Sequence, residues 1–260
     1  MENIPTSQAL FDVSGKVAIV TGATGAFGAA AAQGLAKAGA KVMLTGRKAE
    51  TLAPMAQMIA DAGYTAIYEA GDPVIHDDVK RVVTKTVSEL GGVDILVTAA
   101  GLNKVGAITE QSVEDWQMVQ DVNVKGTYPY CKEAGKVMID QARGGKVIIV
   151  SSARSSLGMA NYTAYCPSKA ATDLMAKSLA CEWGKHDITV NAIAPTVFRS
   201  ALTAWMWDDD AFYKNFLKRI PIGRLGEPED FIGSVLFLSS KASDFMTGAI
   251  LAVDGGYTAG

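Results

Sequence analysis

Cysteine, histidine and long apolar runs are scarce in this sequence of 260 residues, and each scarcity argues against a class of protein. The three cysteines, Cys131, Cys166 and Cys181, form no C-x-x-C pair and are odd in number. A disulfide framework is therefore not expected, and a cytoplasmic protein is predicted. The two histidines, His76 and His186, have no partner at metal-ligand spacing, so no metal site is expected. No apolar run is long enough to predict a transmembrane helix.

An excess of charge of one sign is also lacking. The formal net charge is −3, from 24 Lys and Arg against 27 Asp and Glu, which does not favour a nucleic-acid partner. No basic cluster adjoins an apolar helix, so no membrane surface is expected as a partner. The first residues have neither a basic region nor an apolar region, and no secretory signal is predicted.

Seven short apolar runs, rich in β-branched residues, alternate with helical patterns. The predicted strands cover residues 16–20, 41–45, 65–70, 94–100, 146–150, 188–194 and 249–255. These runs are apolar throughout rather than alternating, which is typical of strands buried on both faces. The sequence therefore predicts one α/β domain over residues 1–260, with a doubly wound parallel seven-stranded sheet and helices on both faces.

Helices are predicted between these strands and one longer segment interrupts the alternation. The predicted helices cover residues 29–39, 77–90, 112–140, 162–183 and 229–240. The segment 199–227 is rich in aromatic residues and follows the sixth strand. At the carboxyl edge of a sheet such an insertion is a candidate substrate lid, although an oligomer contact has the same composition.

A glycine-rich turn, TGATGAFG, follows the first predicted strand at residues 21–28. Gly22, Gly25 and Gly28 permit a tight turn and let the backbone approach a pyrophosphate closely. The helix that follows would offer free N–H groups to the phosphates. Because the turn does not end in G-K-S/T, a dinucleotide site is favoured over a nucleoside triphosphate P-loop.

The second strand is followed by Gly46 and Arg47, where an NAD site usually has a carboxylate for the ribose 2′-hydroxyl. A guanidinium instead matches the geometry and charge of a 2′-phosphate. The sequence therefore predicts NADP as the cofactor. NAD is the alternative if Arg47 is only a solvated loop residue.

Tyr165 and Lys169 are four residues apart in a predicted helix and would lie on the same helical face. A free phenol has a pKa of about 10, which is too high for an efficient base near neutral pH. A neighbouring ammonium should favour the phenolate and lower that pKa. The pair therefore predicts a site for proton transfer.

Together these motifs resemble the short-chain dehydrogenase/reductase family, over nearly the whole stretch from Lys16 to Tyr257. The pattern T-G-x-x-x-G-x-G falls on residues 21–28 and Y-x-x-x-K on residues 165–169. The family's remaining site positions fall on Asp72, Asn123, Ser152 and residues 253–256. The resemblance implies a Rossmann-type fold and hydride transfer between nicotinamide and an alcohol or ketone.

The resemblance implies a role for each of four residues. Tyr165 would be the general acid in reduction and the general base in oxidation, and Lys169 would assist it and hold the nicotinamide ribose. Ser152 would orient the substrate oxygen, and Asn123 would support a water linked to Lys169. The implied cofactor contacts are Gly22, Thr24, Gly25, Phe27, Gly28, Gly46, Arg47, Asp72, Ala99, Ala100, Gly101, Tyr165, Lys169, Pro195, Phe198 and Ser200.

Three departures from the family pattern carry structural expectations. Thr98 and Ala99 replace two asparagines, so the polar contacts of those asparagines must be lost or replaced. Thr196 replaces a glycine, and a positive φ there would be costly for a β-branched residue. Pro167 is tolerated only in the first turn of a helix, so the helix should begin close to Tyr165.

The substrate is indicated by few residues. Asn103, Arg154 and Trp205 are the candidate contacts, and the polar and basic ones favour a polyol, a sugar acid or a hydroxy or keto acid. Two stretches are also most similar to gluconate-type dehydrogenases. An apolar cyclic ketone or alcohol and a 3-oxoacyl thioester are alternatives, and a non-catalytic dinucleotide sensor or scaffold is another. The family resemblance implies a homotetramer.

Overall fold

The computed structural model describes residues 4–200, 203–204 and 210–260. Seven strands form one parallel sheet in the order β3-β2-β1-β4-β5-β6-β7. The strands are β1 Val17–Thr21, β2 Lys41–Gly46, β3 Ala66–Ala70, β4 Ile95–Thr98, β5 Gly145–Val150, β6 Ile188–Pro195 and β7 Ile250–Val253. The predicted parallel sheet and its seven strands are confirmed.

The sheet is buried because helices cover both of its faces. Every residue of β1, β4 and β6 is buried. Side chains of successive strand residues point to opposite faces, so Ala18 and Val20 join one apolar cluster while Ile19 joins the other. Apolar strands of this kind are stable only between two helical layers.

The helices agree with the sequence patterns at most positions. They are α1 Ser7–Phe11, α2 Ala26–Lys37, α3 Ala49–Asp61, α4 His76–Leu90, α5 Val113–Gln120, α6 Thr127–Gln141, α7 Tyr165–Trp183, α8 Asp210–Leu217 and α9 Pro228–Ser239. Helix α7 begins at Tyr165, so Pro167 lies in its first turn as expected. Thr196 is not among the described residues with positive φ, so it avoids the strain considered above.

The helix predicted over residues 112–140 is not continuous in the structure. The structure instead has α5, a π-helical turn at Asp121–Lys125 and α6. The side chain of Asn123 leaves this turn to bond a distant loop, which is a tertiary effect absent from the local pattern. Single π-helical turns of this kind often occur at functional sites.

The two ends of the segment 199–227 lie side by side. Phe198 and Gly226 form a parallel bridge, and the Arg199 N–H donates to the Gly226 carbonyl at 2.8 Å. Helix α8 lies within the segment, whereas Trp205 lies outside the described residues. None of the helices in the described ranges has both the length and the apolar character needed to cross a membrane.

Candidate active site

The chemistry-bearing residues follow strand ends at the carboxyl edge of the sheet. The strand order reverses between β1 and β4, and a crevice opens outside such a point in open α/β sheets. The glycine turn follows β1, Gly101 follows β4 and Ser152 follows β5. The topology thus brings the predicted dinucleotide and proton-transfer residues to one edge.

The glycine turn passes so close to neighbouring backbone that side chains do not fit. Gly22 has φ +60°, and a Cβ added there would lie 2.7 Å from the Ala100 nitrogen. A Cβ at Gly28 would lie 2.2 Å from the Gly22 carbonyl oxygen. Helix α2 starts after Gly25 with no side-chain cap and no acidic residue in its first turn. Its N-terminal N–H groups are therefore available to a phosphate, which fits a pyrophosphate-binding turn.

A cavity of about 830 Å³ lies beside this turn and between the ends of β1 and β4. The predicted cofactor contacts that line it are Gly22, Thr24, Gly25, Gly46, Arg47, Asp72, Ala99, Ala100 and Gly101. Arg47 is exposed at the cavity and forms no ion pair with any residue that the structure describes. An uncompensated guanidinium at the end of β2 fits a phosphate on the adenosine ribose.

Other predicted cofactor contacts lie outside the walls of this cavity. The Phe27 ring packs against Phe198 and Phe231 at centroid distances of 5.0 and 4.8 Å, and Phe198 is buried. These two side chains contribute to the core beneath the turn. Ser200 is bonded within its own loop, since its N–H and hydroxyl both contact the Thr203 hydroxyl. Their contact with a cofactor stays a prediction, as does that of Pro195.

Several residues that line the cavity were not predicted. They are Thr21, Thr45, Gly71, Pro73, Val74, Leu102, Val113, Glu114, Gln117, Met118, Asp121, Val122 and Tyr130. The Tyr130 and Thr45 hydroxyls are 3.2 Å apart, and burial raises the pKa of Tyr130 to about 12. The sequence could have predicted that the start of α5 lines the cavity, because α5 follows β4 and the strand order reverses beside β4. Tyr130 gives no such signal, since it lies inside the single helix predicted over residues 112–140.

The loop after β4, where the two family asparagines are absent, is bonded by a threonine at the end of β1. The Thr21 hydroxyl accepts the N–H groups of Ala99 and Ala100 at 3.1 and 3.2 Å. The Thr98 hydroxyl, in contrast, is buried without a hydrogen-bond partner in the described structure. The loop after β4 is therefore held by the end of β1.

Asn123 joins this same loop to α7. Its amide nitrogen donates to the Leu102 carbonyl at 3.0 Å and to the Ser168 hydroxyl at 2.9 Å, and its oxygen accepts the Leu102 N–H at 2.9 Å. Asn123 is 1% exposed, so all three bonds are shielded from water. Gly101 lies beside this side chain and Lys169, since an added Cβ would be 3.3 Å from the Asn123 oxygen and 3.6 Å from the Lys169 nitrogen.

Tyr165 and Lys169 lie together on α7, as their spacing predicts. The Lys169 nitrogen is 5.7 Å from the centroid of the Tyr165 ring and donates to the Val150 carbonyl at 2.9 Å. Lys169 is 5% exposed and Ser152 is 8% exposed. The Ser152 side chain acts to lower the pKa of Tyr165 and so favours its ionised form. The structure therefore brings Ser152, Tyr165 and Lys169 together. Asn123 lies next to Gly101, which also adjoins Lys169.

The expectation that Lys169 lowers the pKa of Tyr165 is corrected by the structure. Burial raises the pKa of the Tyr165 hydroxyl to about 12, although Ser152 and the charge of Arg154 act in the opposite direction. Burial also lowers the pKa of the Lys169 ammonium to about 8, against the charge of Asp173. Burial sets the direction of both shifts because it disfavours the charged form of each group.

The candidate substrate contacts differ in how the structure places them. Arg154 follows Ser152, and its N–H donates to the Ser152 hydroxyl at 3.1 Å. Asn103 is exposed in the loop after β4, whose Lys104 pairs with Asp115 at 3.3 Å. Trp205 lies outside the described residues. No group of three His, Cys, Asp or Glu side chains in the described ranges is placed to hold a metal ion.

Comparison with known proteins gives the family. The profile of the enoyl-(acyl carrier protein) reductase family matches residues 22–258. A short-chain type dehydrogenase/reductase from Mycobacterium marinum has a TM-score of 0.93 and 36% identity, covering 98% of this chain and 100% of that chain. This chain belongs to the short-chain dehydrogenase/reductase family. Like the named members of that family, it is an oxidoreductase that acts on a CH–OH group with a pyridine nucleotide.

Two further proteins are similar over nearly their whole length. An uncharacterized oxidoreductase of Mycobacterium tuberculosis is 47% identical, covering 96% of this chain and 94% of its own. A gluconate 5-dehydrogenase from Burkholderia cenocepacia, solved in complex with NADP and tartrate, has a TM-score of 0.94 and 31% identity. That comparison covers 98% of this chain and 100% of that chain.

Proposed function

We propose that this protein is an NADP-dependent dehydrogenase or reductase of a sugar acid or a related polyol. One observation carries the proposal: Ser152, Tyr165 and Lys169 lie together at the carboxyl edge of the sheet, beside a cavity whose rim holds Arg47, which forms no ion pair among the described residues. The gluconate 5-dehydrogenase of B. cenocepacia, which is similar over its whole length, supports NADP and a sugar acid.

The proposed proton transfer uses the protonated Tyr165. With a pKa near 12, this hydroxyl is protonated at neutral pH and can donate to a substrate carbonyl during reduction. Bound NADPH would supply the hydride. Ser152 would hold the substrate oxygen beside Tyr165, and Lys169 would restore the proton through its ammonium. In oxidation Tyr165 must first lose its proton, so this direction should require higher pH.

The proposed cofactor site uses the backbone more than side chains. The first turn of α2 would hold the pyrophosphate, Arg47 the 2′-phosphate and Asp72 the adenine side of the cavity. Asn123 would fix Leu102 beside the nicotinamide end. Phe27, Gly28, Pro195, Phe198 and Ser200 would support these contacts from the edges of the site.

Three further proposals concern the whole chain. Residues 1–260 would form one domain with 199–227 as a substrate lid, supported by the Phe198–Gly226 bridge that closes the segment. A homotetramer would cover the exposed apolar side chains Trp116, Tyr128 and Leu174 of α5, α6 and α7. A cytoplasmic location is supported by the odd number of unpaired cysteines.

The first experiment measures initial rates with NADP⁺ and NAD⁺ against sugar acids, polyols and cyclic alcohols. Turnover of a sugar acid with NADP⁺ is expected. Turnover of cyclic alcohols alone would show that the substrate is apolar and not a sugar acid. Cofactor binding without any turnover would favour a non-catalytic dinucleotide sensor.

Two variants make this experiment specific. Arg47→Asp should raise the KM for NADP⁺ about tenfold or more, since it replaces attraction of the 2′-phosphate with repulsion. Lys41→Asp makes the same charge change at the exposed start of β2 and should leave that KM unchanged. Tyr165→Phe should abolish most turnover and retain NADPH binding, whereas the exposed Tyr64→Phe should retain both.

A further inference from the structure

A small apolar cluster beside the proposed reaction residues contains Tyr257, which follows β7. Tyr257 is 3% exposed and packs with Ala153, Ile220 and Leu225. Its ring stacks on Phe216 with the centroids 5.8 Å apart and the planes 23° apart. Packing on this scale fixes the ring, so its hydroxyl is held at one position.

The Tyr257 hydroxyl accepts a hydrogen bond from Nη2 of Arg154 at 2.5 Å. The guanidinium carbons of Arg154 and Arg219 lie 5.2 and 4.7 Å from the centroid of the same ring. Neither guanidinium forms an ion pair with a carboxylate in the described part of the chain. Two cations on one aromatic ring, one of them half-buried, leave a positive potential that an anion would neutralise.

This positive potential lies next to the reaction residues. Arg154 is two residues after Ser152 and is bonded to the Ser152 hydroxyl through its backbone N–H. Its charge also reaches Tyr165, whose ionised form it favours. A substrate whose reacting oxygen contacts Ser152 and Tyr165 would therefore have other groups within reach of the Arg154 guanidinium.

We propose that Tyr257 is a positioning residue for specificity: its hydroxyl holds Arg154 where the guanidinium binds the carboxylate of a sugar-acid substrate. The inference builds on the proposed dehydrogenase function and adds which group of the substrate is recognised and by what. A guanidinium offers paired donors that match a carboxylate, and it gains more when its own orientation is fixed beforehand. A neutral polyol has no group that requires this cation.

The test compares gluconate with glucitol, which carries CH₂OH in place of the carboxylate. Tyr257→Phe keeps the ring and its packing but removes the hydroxyl. We expect the KM for gluconate to rise about tenfold, with kcat changed less than KM and the glucitol KM unchanged. Arg154→Met should give a larger rise for gluconate alone. Tyr257→Phe should then add nothing to Arg154→Met, since its effect passes through Arg154.

Tyr213→Phe is the matched control, because Tyr213 packs against the same cluster and forms no hydrogen bond or cation–π contact with Arg154 in the described structure. It should leave both KM values unchanged. Equal loss on gluconate and glucitol, or an unchanged gluconate KM in Tyr257→Phe, would overturn this inference while leaving the dehydrogenase function intact. If the wild-type enzyme acts on gluconate but not on glucitol, the test uses gluconate alone. The inference then requires that Tyr257→Phe changes KM more than kcat and adds nothing to Arg154→Met, and any other result overturns it. If it uses neither compound nor any other sugar acid, the proposed function itself fails.

Discussion

Asp173 lies one helical turn beyond Lys169 on α7, and one of its carboxylate oxygens is buried without a hydrogen-bond partner in the described structure. Its negative charge raises the pKa of Lys169, against the burial that lowers that pKa to about 8. Asp173 was not singled out from the sequence, although it occupies the i+4 position from Lys169. Its charge therefore partly offsets the effect of burial and favours the charged form of the ammonium.

Asp173→Asn should therefore lower the pKa of Lys169 further. If the ammonium is required, the alkaline limb of the kcat/KM profile should move to lower pH, while the plateau below it is retained. Initial rates across pH 6 to 10 measure this limb. Asp140→Asn removes an exposed carboxylate from α6 and should leave the profile unchanged. An identical profile in Asp173→Asn would show that the carboxylate does not act on Lys169.

Lys169 should also make stability depend on pH. Its pKa is about 8 when folded and near 10.5 when unfolded, so between these values the unfolded chain binds more protons. The free energy of unfolding of the wild type, relative to Lys169→Met, should rise by about 3 kcal/mol across this interval. Guanidinium unfolding of both proteins at several pH values measures the difference. Parallel curves would mean that the buried ammonium carries no such penalty.

Gly22 should be irreplaceable for two separable reasons. In Gly22→Ala the new Cβ would lie 2.7 Å from the Ala100 nitrogen, at a φ of +60°. Gly63→Ala has a φ of +86° but no atom within 4 Å of the new Cβ, so it isolates the conformational cost of about 1 kcal/mol. Gly22→Ala should lose NADPH binding and more stability than Gly63→Ala. Thermal unfolding and cofactor titration compare them, and equal losses would remove the steric argument.

Two threonines at adjacent strand ends should respond oppositely to replacement by valine. Thr21→Val removes the acceptor of two N–H groups and should cost about 2 to 4 kcal/mol. Thr98→Val removes a buried hydroxyl that has no partner among the described residues, so it should be neutral or stabilising. Denaturant unfolding separates the two, and a similar loss in both would show that the Thr21 bonds contribute little.

The strands and the placement of Tyr165 beside Lys169 could be predicted from sequence because their signals are local. Helix α3 could not be predicted in this way, because Pro54 interrupts its helical pattern. In the structure Leu52, Ala56 and Ile59 nevertheless form its buried face. The break at Asp121–Lys125 was missed because Asn123 bonds a residue 21 positions away. Arg154 was identified as a substrate candidate, but its contact with Tyr257 spans 103 positions and no local pattern reports it.

The large cavity and the residues around Ser152 are built from different parts of the chain. The walls of the large cavity come from residues before α6 ends, whereas Ser152, Tyr165, Arg154 and Tyr257 all follow it. The side chain of Asn123 links the two parts, through Leu102 on one side and Ser168 on the other. We therefore expect substitutions of Arg154 or Tyr257 to alter the choice of substrate more than the choice of cofactor.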